Sequence, residues 1–139
     1  MWCSINNLTA QVFFYENRSL PELSLKNIDG EQVNVADLGN NGKITIFKFW
    51  ESWALGCVQD LKETAEMCDR WDEELDIQIV SVSLDTPGNT ENIRQYVEQY
   101  GWEFEVLLDT TDILLAQMGI HSNSVPFTVI TYHKGNIVD

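Results

Sequence analysis

Basic side chains are scarce in this sequence: 8 Lys plus Arg stand against 22 Asp plus Glu, a formal charge of −14 across 139 residues. Such a surface repels phosphate backbones and anionic membranes, which excludes nucleic acid as an expected partner. The charge otherwise speaks to solubility rather than to fold. Long apolar runs are missing too. No stretch approaches the roughly 18 residues of a bilayer-spanning helix, so membrane insertion of this segment is not expected. Met1-Trp2-Cys3-Ser4 has neither the basic start nor the apolar stretch of a signal peptide. Cysteine is limited to Cys3, Cys57 and Cys68, and an odd count this small excludes a dense disulfide framework. Cys57 and Cys68 fall on one expected helix, roughly 16 Å apart at ~1.5 Å per residue. A disulfide needs Cα atoms within about 7 Å, so an intact helix keeps this pair apart. The segment around Cys3 has no pattern that restricts its partner.

What is present suits one domain with one core: 139 residues, 44% hydrophobic and 22% charged. Gln11 to Tyr15 reads as a short strand. Leu23 to Lys26 and Gln32 to Val35 alternate apolar and polar residues around Ile28-Asp29-Gly30, a hairpin pattern, and Asn40-Asn41-Gly42 marks another turn. Lys43 to Trp50 is rich in β-formers and reads as a buried strand. From Gly56 to about Leu75 the period becomes helical, with Leu61, Ala65, Cys68, Trp71 and Leu75 inward; Asp60, Glu63 and Glu66 fit a solvated face. Ile77 to Leu84 is a second apolar strand that stops at Asp85-Thr86-Pro87. Thr90 is the expected N-cap of a helix over 91–100, with Gly101 as its stop. A strand over 104–108, a helix over 112–118 and a strand over 127–132 follow, and a turn at 133–136 leads into Ile137-Val138, the start of one more strand. Strands alternating with helices imply a sheet covered on both faces, with parallel strands joined by helical crossovers.

The segment Phe49-Trp50-Glu51-Ser52-Trp53-Ala54-Leu55-Gly56-Cys57 resembles the Phe-Trp-x-x-Trp-Cys-x-x-Cys site of thioredoxin-fold disulfide reductases. Around it, Leu25 to Leu38, Val80 to Asp85, Leu108-Asp109, Gly119 and Val125-Pro126-x-Thr128 match in order and spacing. The chain is thereby identified as similar to the TlpA/ResA-like branch of the thioredoxin superfamily, within the AhpC/TSA group. The resemblance implies an α/β thioredoxin-like domain over 20–139, with a central mixed sheet, flanking helices and an N-terminal β-hairpin. Residues 1–19 are then an N-terminal extension, and the family's final helix is not expected before Asp139.

The resemblance also assigns roles. In the family the first cysteine, exposed at a helix N-terminus, attacks a substrate disulfide, and the second resolves the mixed disulfide. Here Ala54 stands at the attacking position and Cys57 at the resolving one. Trp53, Val125 and Pro126 are the expected substrate-binding residues, and Pro126 is expected to follow a cis peptide bond and to face the active-site turn. Lys48 is a candidate for lowering the thiol pKa through its charge, weighed against a snorkelling residue at a strand edge. The expected function is a thiol–disulfide oxidoreductase family protein with a degenerate Ala-x-x-Cys site and weak or absent reductase activity. The alternatives are a non-catalytic binding module, or a one-cysteine peroxiredoxin-like peroxidase using Cys57. In the last case Trp50 replaces the peroxiredoxin proline and Ala54 the peroxide-orienting hydroxyl. His121 pairing with Cys57 is a further, weaker pattern, as is metal binding with a histidine, since no ligand spacing is present. No cofactor and no metal are expected. The expected partners are protein thiols, disulfides or peptide segments, in an extracytoplasmic setting such as the periplasm or a bacterial envelope tether.

Overall fold

The computed structural model describes residues 11–16, 20–39, 42–54, 56–71, 76–120 and 125–132. Seven strands form one sheet in the order β1-β7-β4-β5-β6-β2-β3. They are β1 Gln11–Glu16, β2 Ser24–Asn27, β3 Gln32–Asn34, β4 Ile44–Trp50, β5 Ile77–Ser83, β6 Glu105–Leu108 and β7 Phe127–Tyr132. The helices are α1 Val35–Leu38, α2 Cys57–Trp71, α3 Thr90–Tyr100 and α4 Ile113–Gln117. The sheet is mixed: β4, β5 and β6 run parallel, and β7 is antiparallel to β4. This is the mixed α/β architecture expected from the sequence.

The opening hairpin forms because Asn27 organises its turn. The Asn27 Oδ1 accepts from the backbone N–H of Asp29 at 3.0 Å and of Glu31 at 2.9 Å, while Gly30 takes φ +85°. The second hairpin strand ends one residue earlier than expected. The Asn34 side chain accepts from Ala36 N–H at 3.1 Å and so starts the short α1. Thr90 is likewise not an N-cap. A 3₁₀ turn over Pro87–Asn89 precedes α3, and Thr90 lies in the helix with its hydroxyl bonded to Pro87 C=O at 3.0 Å.

The first strand lies in the stretch read as an extension. It is an edge strand of the sheet, paired parallel to β7 from Gln11↔Phe127 to Glu16↔Tyr132. Its β-branched and aromatic residues are strand formers, but its partner is over 100 residues away in sequence, beyond any local pattern. The expected strand at Ile137, the turn before it and the inward side chains of Cys68, Trp71 and Leu75 fall outside what is described.

Strand alternation divides the core into two. Phe47, Phe49, Val80, Val82, Leu107, Phe127 and Val129 point to one face, where Val35 of α1 and Leu114 and Leu115 of α4 cover them. Phe49 and Phe127 stack there with ring centroids 4.8 Å apart. On the other face Trp50, Cys57, Leu61, Ile93, Trp102 and Val106 form a second cluster, under α2 and α3. This second face carries the site.

Candidate functional site

The carboxyl end of β4 leads into a loop, Glu51 to Gly56, and then into α2. The loop is anchored by Asp85, at the end of β5. Its Oδ1 accepts from Ser52 N–H at 2.8 Å and its Oδ2 from the Ser52 hydroxyl. Asn92 of α3 donates to the same hydroxyl oxygen at 3.2 Å. Both Ser52 and Asp85 are buried, so the loop's descent from the sheet is fixed by charge-assisted bonds shielded from water. Leu84 N–H bonds Trp50 C=O at 2.9 Å, and Ala54 N–H closes a turn on Glu51 C=O at 3.1 Å. Sequence reasoning took Asp85 as the stop of a strand. Its place directly after Leu84, beside the end of β4, was the available signal.

Gly56 adopts φ +88° immediately before α2. A proline, with φ near −65°, could not take that conformation. The turn before the helix is therefore built on a backbone that glycine permits.

Cys57 opens α2, and none of its surface reaches solvent. It is packed in the cluster with Trp50, Leu61 and Trp102, with Ala54 and Val125 against it. Burial pushes the thiol pKa up. A backbone hydrogen bond with Glu51 pulls the other way, and the negative charges of Asp60, Glu51 and Asp85 push it up further. At this helix N-terminus, desolvation outweighs the thiolate-favouring field. Glu51 is itself raised, by burial first and then by the charges of Asp85 and Asp112.

Lys48 is not the snorkelling edge residue that the sequence allowed. It is on β4, between β7 and β5, and only 1% of its side chain is exposed, so it is neither at an edge nor snorkelling. Its ammonium lies 2.8 Å from the Asp60 carboxylate of α2 and donates to the Thr128 hydroxyl at 2.8 Å. The approached oxygen, Asp60 Oδ2, has no hydrogen bond of good geometry, so this contact is charge pairing rather than a directed bond. Asp60, expected on a solvated face, is instead turned inward by this pair. The lysine charge thus faces the Asp60 carboxylate, near the start of α2.

The remaining expected residues separate by exposure. Trp53 is 67% exposed at the loop tip, whereas Trp50 is in the core, edge-on to Trp102 at 6.1 Å. The Val125–Pro126 bond is cis, and both residues are half-buried. Ala54 and Val125 thus pack against the cluster that contains Cys57, Trp53 stands at the rim, and Lys48 is on the same sheet face. His121 lies outside the described residues. Among those described, no group of three or more His, Cys, Asp or Glu could hold a metal ion.

With this geometry in place, comparison with known proteins gives the lineage. Residues 17–139 match the AhpC/TSA family. The chain belongs to the AhpC/TSA family. It is 26% identical over 130 residues to the thioredoxin-like protein YneN of Bacillus subtilis, covering 93% of this chain and 72% of that protein. It is 21% identical over 122 residues to the thiol-disulfide oxidoreductase ResA of Bacillus thuringiensis, covering 88% of this chain and 66% of that one. Its fold matches the solution structure of a thioredoxin-like protein from Porphyromonas gingivalis with a TM-score of 0.68 and 31% identity, over 84% of this chain and 74% of that chain. This AhpC/TSA member therefore has a thioredoxin-like fold of the kind found in thiol–disulfide oxidoreductases. No described helix is long and apolar enough to cross a membrane.

Proposed function

We propose that this protein is a thiol–disulfide oxidoreductase family member with a degenerate site. Cys57 holds the resolving position, Ala54 leaves the attacking position without sulfur, and disulfide reductase activity is weak or absent. The observation that carries this reading is Cys57 itself: it is fully buried, with its pKa pushed up by that burial. A thiol attacks as its thiolate, and each unit of upward shift removes about tenfold of the thiolate present at neutral pH. Exposed Trp53, with half-buried Val125 and Pro126, supplies a surface for peptide segments carrying thiols or disulfides. An extracytoplasmic setting accords with the family resemblance. The one-cysteine peroxidase alternative gains nothing from the site, because Ala54 offers no hydroxyl and Cys57 no exposed thiol.

Reduction of insulin disulfides, compared with that of Ala54→Cys, tests the reading. The unaltered chain is expected to be slow or inactive, and Ala54→Cys to form a disulfide with Cys57 and to gain turnover. Turnover by the unaltered chain as fast as that of Ala54→Cys, and lost in Cys57→Ser, overturns it.

A further inference from the structure

The sheet face that carries Cys57 holds a cavity at its other end, around the starts of β5 and β6. Its volume is about 450 Å³, within the roughly 300–1,000 Å³ of small-molecule sites. Ile77, which opens β5, pairs with Ile44, which opens β4, so the cavity lies about 20 Å, a strand length, from the loop after Trp50. Three elements build it. Ile77 and Ile79 line it from the sheet. Lys62, Ala65 and Glu66 line it from α2, where spacings of three and four residues put them on one helix face. The third element is the turn after α3. Gly101 takes φ +63° and ends that helix, and Trp102 N–H returns to Val97 C=O at 3.1 Å. The turn sets Tyr100, Trp102 and Phe104 in a row, with successive ring centroids 5.4 Å apart and planes at 27° and 30°. One wall of the cavity is therefore an aromatic ladder.

Charge is unevenly screened around it. Two of the chain's eight basic residues, Lys43 and Lys62, line the cavity, and both are half-buried. The Lys62 ammonium stands over the Tyr100 ring, 5.4 Å from its centroid, which holds the charge at the aromatic wall. Three carboxylates line the cavity as well. Glu66 and Glu103 are exposed, where water and salt screen them, and Glu105 is engaged by the Asn27 side-chain amide at 2.8 Å. The less screened charges are thus the two ammonium groups. On a chain of charge −14 an anion is otherwise repelled, so its binding has to come from local cations such as these.

We propose that this cavity is a binding site for a small aromatic carboxylate. The ligand's ring packs offset or edge-on against Trp102 and Phe104, the arrangements that aromatic pairs favour. Its carboxylate is held by Lys62, and Lys43 adds to the attraction. Binding there is separate from thiol chemistry, since Cys57 is at the other end of the face.

The test titrates the full, isotope-labelled chain with naphthoate, with its neutral alcohol analogue naphthalenemethanol and with cationic naphthylmethylammonium, followed by nitrogen–proton NMR spectra. Naphthoate is expected to shift the Trp102 indole N–H and the Gly101 and Glu103 amides saturably. The neutral and cationic probes should bind about tenfold or more weakly, the factor of one charge-assisted contact. Lys62→Gln should weaken naphthoate binding by about the same factor, and Lys62→Arg should restore most of it. Phe104→Leu keeps apolar volume without the ring and should weaken it too. Where a variant loses its dispersed spectrum, the unaltered chain decides through salt: naphthoate affinity should fall as ionic strength rises. The inference is overturned by salt-independent affinity, by a neutral or cationic probe that binds as tightly as naphthoate, or by unchanged affinity in a folded Lys62→Gln. Absence of a saturable shift at millimolar naphthoate, or shifts centred on the exposed Trp53, also overturns it. None of these outcomes touches the reading of Cys57, which disulfide reduction tests.

Discussion

At the scale of single residues, the site is governed by where charge meets burial. Cys57 is a neutral thiol in the fold, since burial and three carboxylates all disfavour its thiolate. Its alkylation rate should therefore rise with pH through a midpoint above the ~8.5 of an unperturbed thiol. The same shift predicts a sign for stability. A folded pKa above the unfolded one leaves stability fully present below pH ~8.5 and loses it as pH rises through the folded value. Cys57→Ala should abolish that alkaline loss, which denaturation midpoints measured across pH 7–11 would show. Lys48 and Asp60 form the second charged unit. Lys48→Met strands a carboxylate that is only 10% exposed, and removing one partner of such a pair costs about 3–5 kcal/mol. Adding Asp60→Leu should recover part of that loss, and a double-mutant cycle by urea denaturation measures the coupling. Lys48→Met should also slow alkylation of Cys57, because the freed Asp60 charge pushes the thiol pKa higher still.

At the scale of elements, acidic residues at strand ends position the helices. Asp109 follows β6, is buried, and accepts from the N–H groups of Ile113 at 3.0 Å and Leu114 at 2.9 Å, which caps α4. Burial raises its pKa despite those bonds, and the Asp112 charge adds to the rise. Asp109→Ala removes the cap and should cost about 1–2 kcal/mol in denaturant unfolding. Asp85→Ala leaves both Ser52 donors unpaired in a buried setting, at about 1–3 kcal/mol for each such group. It should also let the loop carrying Trp53 move, visible as a change in tryptophan fluorescence. Gly56→Ala meets no atom within 4 Å, so its cost is backbone strain alone, about 1–2 kcal/mol at φ +88°.

For the whole molecule, β1 completes the sheet beyond β7. Phe13 meets Phe127 edge to face at 5.9 Å, which ties this edge to the aromatic core on the face opposite the site. Deleting residues 1–16 would turn β7, with its buried Phe127, Val129 and Ile130, into an exposed edge. The truncated protein should melt at lower temperature and aggregate more readily than the full chain, as measured by thermal scanning with light scattering.

The sequence by itself determined the alternation of strands and helices, the loop between β4 and α2, and the place of Ala54 and Cys57 on it. Those features depend on periodicities of two and 3.6 residues and on turn residues, all of them local. The tertiary structure decided the rest, because each remaining fact joins residues distant in the chain. Lys48 could have been a snorkelling edge residue, but the sheet order makes β4 central and α2 lays Asp60 against it. A helix start left Cys57 open to reactivity or to packing, and Trp50, Leu61 and Trp102 around it decided for packing and desolvation. Asp85 looked like the end of a strand until Ser52 was found bound to it across 33 positions of sequence. Gln11 to Tyr15 read as a lone strand, and only pairing with β7 set its place and direction in the sheet. Charge and burial act through space, and a linear pattern records neither until the chain has folded.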